Sequence, residues 1–168
     1  MRTEATRDVD LERLGPAARA WIFASPTSLD DAQSSRIMGI VARFLDGWES
    51  HGVRLPAACA MIENRFLVVA ADERTDPSGC SIDKLFRLLQ ALAVETGTTL
   101  LESHRVYYRD RDGRVQSATR AGFRDLASRN EVGPATIVFD TTIETLGAVL
   151  DGRWERPAGE SWHASLLD

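Results

Sequence analysis

Two apolar runs separated by a short polar turn lie in the middle of the chain. The stretch RLPAACAMIENRFLVVAADE (residues 54–73) has the residue types of two strands joined at Glu63-Asn64-Arg65. A connection this short favours an antiparallel hairpin. Helical patterns come before and after the hairpin, so we predict a sheet that contains the hairpin and carries helices on one face.

The first strand and helix are predicted ahead of this hairpin. Residues 18–25 are rich in aromatic and branched side chains and end at Pro26, which is typical of a strand. The next stretch, TSLDDAQ, predicts a helix start with Thr27 or Ser28 as N-cap. Apolar side chains then recur at helical spacing up to about His51: Ile37, Val41, Phe44 and Trp48.

The second helix has the clearest pattern in the sequence. From Ser81 onward, apolar residues fall at intervals of three and four, and Gly97 is placed to end the helix as a C-cap. These apolar positions are Ile82, Leu85, Phe86, Leu89, Leu92 and Ala93. Residues 98–108 then have the composition of one long strand.

The fold class predicted from this order is α+β. Up to about residue 108 the order is strand-helix-strand-strand-helix-strand, the ferredoxin-like order, in which two helices cover one face of an antiparallel sheet. A C-terminal hairpin-helix-strand extension follows, with its turn at Asp112-Gly113. We predict a polar N-terminal segment (1–17), a core domain (18–105) and an extension (106–168) that packs on or follows the core.

Composition limits the possible partners and location. The chain of 168 residues has a net charge of −5, which argues against broad binding of nucleic acid or of anionic membranes. The charged start MRTEATRDVDLERLG predicts neither a signal peptide nor a membrane helix, so a cytoplasmic location is expected. The two cysteines, Cys59 and Cys80, form no zinc or CxxC pattern and are expected to be reduced thiols.

The stretch DPSGCSIDK is the strongest candidate for a site. Cys80 lies where the second helix starts, and a helix N-terminus stabilises a thiolate. A turn at Gly79 could expose several N–H groups to an anion. The interpretation is a reactive Cys80, or a small-ligand site formed by Ser78, Gly79, Cys80, Ser81 and Asp83. The alternative is a turn, a cap and a small apolar filler.

Two further sets of residues are weaker candidates. Carboxylates at predicted strand ends could hold Mg²⁺ in a nuclease, although acids are common at such places: Asp72, Glu73, Glu102 and Asp140. Trp154 and Trp162 flank RPAGES in an irregular segment, where they could form a partner surface or pin the segment to the domain. His163 is expected at the surface.

The sequence resembles two known families, the first of them along nearly the whole chain. The segments HGVRLPAACAMIENRFLVVAADE, SGCSIDK and RWERPAGESWHASLL resemble a family of small bacterial proteins, commonest among Bacteroidota, whose members are sometimes labelled ABC-transporter ATPases. No GxxxxGK[ST] phosphate loop supports that label here. This resemblance implies no catalytic role for any residue.

The second resemblance covers Val106–Ser161 only. VYYRDRDGRV, FRDLASRNEVGPATIVFD and the later RW look like GYF-like adaptor modules, in which a hairpin with a glycine turn precedes a helix and a strand. Gln116-Ser117-Ala118 stands where such modules carry Gly-Pro, and the loop after Asp140 is longer. The resemblance implies a protein-interaction surface.

The function expected from these observations is a non-catalytic binding or regulatory module. Its partner would be a protein or a small anionic ligand, without a cofactor or a metal. A thiol-dependent enzyme or redox sensor using Cys80 is the alternative, and a Mg²⁺-dependent nuclease is a third possibility. A sheet edge left open in a ferredoxin-like fold would also allow a homodimer.

Overall fold

The computed structural model describes residues 11–75 and 77–168. In chain order the elements are β1 (Arg19–Ala24), α1 (Asp31–Asp46), β2 (Glu49–Ser50), β3 (Val53–Arg54), β4 (Ala57–Ile62), β5 (Phe66–Ala71), α2 (Gly79–Thr96), β6 (Arg105–Arg109), β7 (Val115–Thr119), α3 (Arg120–Ser128), β8 (Ile137–Phe139), α4 (Leu146–Leu150) and β9 (Glu155–Pro157). Short 3₁₀ turns cover Glu73–Thr75, Ala158–Glu160 and Trp162–Leu166. The α+β class is confirmed.

The first sheet is antiparallel and has the order β1-β5-β4. Its β4-β5 hairpin is the predicted one, with Ile62 opposite Phe66. Glu63 and Asn64 have φ values of 53° and 51°. Two successive positive φ values are those of a type I′ turn, whose twist matches that of the strands. The Asn64 carbonyl also accepts a hydrogen bond from Leu29 N–H at 2.8 Å, so the turn fixes the approach to α1.

The helices α1 and α2 cover one face of this sheet, and their ends follow from local chemistry. Asp30, rather than the predicted Thr27 or Ser28, is the N-cap of α1, because its side chain and that of Gln33 form a reciprocal capping box. Gly97 ends α2 with φ 69°, as predicted. The layer between helices and sheet is closed by side chains that are almost wholly buried, among them Ile37, Val41, Leu67, Leu85 and Leu89.

The strand predicted over residues 98–108 is divided in two. Only Leu101 pairs with the first sheet, through a single parallel bridge to Ala24. Arg105–Arg109 forms β6 in a second sheet of order β7-β6-β8-β9. The first sheet therefore has the three strands of a ferredoxin-like order without a fourth full strand beside β1. Most of the outer edge of β1 is left to irregular segments.

The second sheet packs against the face of the first sheet that lacks helices. Phe66, wholly buried on β5, contacts three rings of the second sheet region: its centroid lies 5.4 Å from Tyr107, 4.7 Å from Phe139 and 5.0 Å from Trp154. Leu11 belongs to the same cluster with 2% of its surface exposed. The predicted polar segment 1–17 thus contributes an apolar anchor, while its residues 1–10 lie outside the described residues.

Helix α3 covers the far face of the second sheet, so the layers run helix, sheet, sheet, helix. Phe123 of α3 is fully buried there and lies 5.5 Å from the Tyr108 ring. The hairpin turn before it has φ 79° at Gly113, as its Asp-Gly sequence predicts. Within residues 11–75 and 77–168, no helix is long and apolar enough to cross a membrane. The division at residue 105 remains a prediction.

Candidate functional site

The two serines of the predicted Ser78–Asp83 site attach α2 to β2. Ser78 is the N-cap and accepts a hydrogen bond from Ser81 N–H at 3.2 Å. Ser81, only 2% exposed, donates its hydroxyl hydrogen to Glu49 C=O at 2.6 Å. Its own carbonyl accepts a hydrogen bond from Trp48 Nε1 at 2.8 Å. These serine hydroxyls are therefore engaged in the protein's own structure.

The other three residues of that predicted site are exposed at the start of α2. Gly79 is the first residue of α2 and does not have the positive φ that the predicted turn required. Cys80 is exposed on the first turn of the helix, and Asp83 is exposed just after that turn. The prediction of a special turn conformation at Gly79 was wrong, because the Ser78 cap places Gly79 in regular helix. Cys80 remains an accessible thiol, whereas Cys59 is buried on β4.

Three of the four predicted carboxylates, Asp72, Glu102 and Asp140, are paired with cations or hydrogen-bond donors at separate places. The side chain of the fourth, Glu73, lies outside what the structure describes. Asp72 accepts hydrogen bonds from the Arg74 side chain and main chain, and these lower its pKa to about 2. Asp140 is bound by Thr142 and by Arg156 at 3.0 Å, and Glu102 lies 3.7 Å from Arg105. In the described part of the chain, no three His, Cys, Asp or Glu side chains are grouped to hold a metal ion.

The prediction that Trp154 forms part of a partner surface was wrong. This residue is 4% exposed, because it closes the aromatic cluster around Phe66. Trp162 is half-buried and stacks on His163 with ring centroids 3.8 Å apart. The segment is therefore pinned to the domain, which is the second of the two interpretations above.

His163 is buried, contrary to the surface position expected for it. It is 1% exposed, and its Nδ1 lies 2.7 Å from Ser161 Oγ. Burial lowers the pKa of the His163 imidazole to about 4, because the charged form would lose its hydration. The side chain is therefore neutral near pH 7 and belongs to the core.

A groove of about 320 Å³ lies along the outer edge of β1, where a fourth strand of the sheet would stand. Its size is at the lower end of the range of roughly 300–1,000 Å³ typical of small-ligand sites. It is lined by β1 itself, by Phe86 of α2, by the segment 100–105 and by the segment 141–144. The groove thus opens between both sheets and α2.

The main chain of β1 reaches the groove at alternate residues. Ala20 N–H donates a hydrogen bond to Glu144 C=O at 2.8 Å, and Ala18 C=O accepts one from Leu146 N–H. Since successive residues of an antiparallel strand face opposite neighbours, Ile22 also directs its N–H and C=O outward. No described residue is hydrogen-bonded to these outward groups of Ile22.

The part of β1 around Ile22 that lacks a neighbouring strand is called the open interval; it comprises residues 20–23. Other segments of the protein pair with β1 at both ends of this interval. At one end the segment around Thr145 bridges to Arg19, and at the other Leu101 bridges to Ala24. Tyr107 adds a hydrogen bond from its hydroxyl to Ala24 C=O at 3.3 Å. Burial raises the pKa of Tyr107 to about 12, so this hydroxyl keeps its proton across the ordinary pH range.

The groove combines an aromatic wall with charged ends. Phe23 and Phe86 are in edge-to-face contact at 5.5 Å, and Phe86 is 38% exposed. At one end the Arg19 guanidinium lies over the Trp21 ring at 4.8 Å from its centroid. Arg105 and Glu102 lie at the other end, and Glu144 lines the groove as well. Each end of the groove therefore carries one positive and one negative side chain, and the centre is apolar.

A second cavity lies beside the other edge of the first sheet. It has a volume of about 560 Å³ and is lined by Leu45, by small residues of β4 and by the polar side chains of Arg13, Asp46 and Arg54. It has no aromatic wall. Apolar and aromatic lining with a few placed polar groups is characteristic of ligand sites, so the β1 groove is the better candidate.

Comparison with known proteins identified no relative of this chain. No family model matches the sequence, and no curated protein or solved structure is significantly similar to it. The groove was missed in the sequence because four separate segments build it. One local signal was present: the polar run Glu102-Ser103-His104 interrupts the predicted strand where the chain leaves the first sheet.

Proposed function

We propose that the protein is a non-catalytic binding or regulatory module that takes its ligand in the β1 groove. The observation that carries the proposal is the open interval at Ile22, where outward main-chain groups meet an aromatic wall. A scaffold without a ligand gains nothing from an unpaired strand edge, which natural proteins usually cover.

The side-chain chemistry of the described residues supports binding more than catalysis. A catalytic nucleophile is normally activated by a base within hydrogen-bond reach. Cys80, the accessible thiol, has no hydrogen-bonded side-chain partner among residues 11–75 and 77–168. The resemblance of residues 106–161 to GYF-like adaptors agrees with an interaction role and is part of the proposal. The resemblance to a small bacterial family brings no activity that would favour catalysis.

A fragment screen by NMR would test the proposal. We expect some fragments of a general library to shift the main-chain amide signals of Ile22, Leu101 and Ile143. Ser103→Trp, at an exposed position that lines the groove, should abolish these shifts, whereas Ser128→Trp at the end of α3 should preserve them. Fragments that shift only Ser78–Asp83, or a complete lack of binding at the groove, would contradict the proposal.

A thiol function of Cys80 is the second candidate. The exposure of Cys80 and the burial of Cys59 favour it, since a redox sensor needs an accessible sulfur. A cytoplasmic location also belongs to the proposal, because no disulfide joins the two cysteines and reducing compartments keep thiols in that state. Cell fractionation would test the location.

A further inference from the structure

The hydrogen-bonding groups at the β1 edge specify the kind of ligand that would fit the groove. Between the two closing bridges, the outward groups are in order Ala20 C=O, Ile22 N–H and Ile22 C=O. This alternation of acceptor, donor and acceptor repeats at the spacing of an extended chain. A neighbouring extended chain offers the complementary groups in the same order.

The side chains around the groove match the two faces of such a chain. Trp21 and Phe23 point to the helix side of β1, whereas Ile22 points to the second sheet. A residue placed opposite Ile22 would direct its side chain toward Ile143, and its two neighbours would lie against the wall of Phe23 and Phe86.

The closed ends set the length of the segment. The bridges at Arg19 and Ala24 are separated by the intervening residues 20–23 of β1. An added chain has room for about three extended residues before it must leave the edge, because a strand advances roughly 3.3 Å per residue. The arginine and glutamate at each end suit the amide dipoles and the mixed side chains of a peptide.

We propose that the β1 groove binds a short extended peptide segment, of about three residues, by strand addition at Ile22. This inference rests on the proposed function of the groove and adds the class of ligand. The main-chain groups of β1 and of the peptide form the hydrogen bonds that give affinity. The aromatic wall of Phe23 and Phe86 selects peptides whose flanking side chains are apolar. The peptide is the terminus or a loop of another protein, since both ends of the interval are closed.

A capped peptide library tests this inference directly. The probe is acetyl-Xaa-Thr-Xaa-methylamide, in which Xaa is Val, Leu, Phe, Lys or Glu, and the matched control has every main-chain nitrogen methylated. We expect members of the first library to bind, and methylation to weaken binding about tenfold or more, because it removes the donors. Binding should also slow hydrogen exchange of the Ile22 amide while Ser103→Trp prevents it.

The outcomes separate this inference from the proposed function. Equal binding of the methylated library, or equal binding of N-methylacetamide at the groove, would show that an extended chain is not what the groove recognises. If general fragments bind the groove and no peptide does, the inference fails and the binding function stands. If neither binds, both fail.

Discussion

The Tyr107 hydroxyl donates a hydrogen bond to the Ala24 carbonyl at 3.3 Å, and this contact joins the two sheets at the end of the groove. Tyr107 belongs to β6 in the second sheet, and Ala24 is the last residue of β1 in the first. The Tyr107 ring also packs against Phe66. One side chain thus links the core between the sheets with the edge at which we place the ligand.

Replacing Tyr107 by phenylalanine should remove its hydrogen bond between the two sheets and keep the packing of its ring. Tyr107→Phe keeps the ring and leaves the buried carbonyl without the donor, so we expect a loss of about 1 kcal/mol in the free energy of unfolding. Urea denaturation measures it. Tyr108→Phe is the matched control, because no hydrogen bond involves that hydroxyl among the described residues. Equal effects of the two changes would contradict the role of the Tyr107 contact.

The aromatic cluster between the sheets should carry a large share of the stability. Phe66→Ala removes a fully buried ring that contacts three others, so we expect a loss of about 3–5 kcal/mol or failure to fold. Val94→Ala, at an 87% exposed position, should change the free energy of unfolding by less than about 0.5 kcal/mol. A loss below about 1 kcal/mol for Phe66→Ala would mean that the sheets do not pack as described.

Buried His163 should make stability depend on pH in a defined window. Its pKa is lowered to about 4 when folded, against 6.5 for an ordinary histidine. Burial is the main cause, and Arg156 and Arg120 act in the same direction, whereas Asp140 opposes them. The unfolded chain therefore binds the proton more readily, and the stability present above pH 6.5 is lost as the pH falls toward 4.

The size of this pH effect follows from the two pKa values. Between pH 7 and pH 4 we expect a loss of about 3 kcal/mol that His163→Gln lacks, measured by urea denaturation at each pH. Asp140, which also titrates in acid, is present in both proteins, so the difference isolates the histidine. Parallel pH profiles for the two proteins would contradict neutral burial of His163.

The two cysteines should differ in their reaction with an alkylating reagent. We expect Cys80 to react in the native protein and Cys59 to react only on opening of the fold, because one is exposed and the other is buried. Mass spectrometry after timed iodoacetamide treatment distinguishes them, and Cys80→Ser should remove the fast phase. A rate for Cys80 equal to that of glutathione at pH 7 would rule against a specialised thiol function.

Sequence patterns predicted the elements whose signals are local. The apolar spacing of α2 together with its final Gly97 predicted that helix, and the short polar stretch Glu63-Asn64-Arg65 between two apolar runs predicted the β4-β5 hairpin. The start of α1 was misplaced because Thr27, Ser28 and Asp30 are all good N-caps. Only the side chain of Gln33 completes a capping box with Asp30.

Features that depend on packing between distant segments could not be predicted in the same way. Trp154 and His163 lie in a polar, irregular stretch, and their burial results from the second sheet and its 3₁₀ turns. The strand over 98–108 looked continuous by composition. It is divided because β6 pairs with β7 and β8, which leaves the edge of β1 open.

The most direct test of the account is the hydrogen exchange of three consecutive main-chain amides in the unliganded protein, measured by NMR in D₂O. The main-chain N–H groups of Trp21 and Phe23 point toward β5, whereas the N–H group of Ile22 points toward the groove. We predict that the Ile22 amide exchanges about 100-fold faster than both neighbours, because it lacks their ladder hydrogen bonds. Protection of Ile22 equal to that of Trp21 and Phe23 would show that this edge is already covered, and the proposed site would not exist.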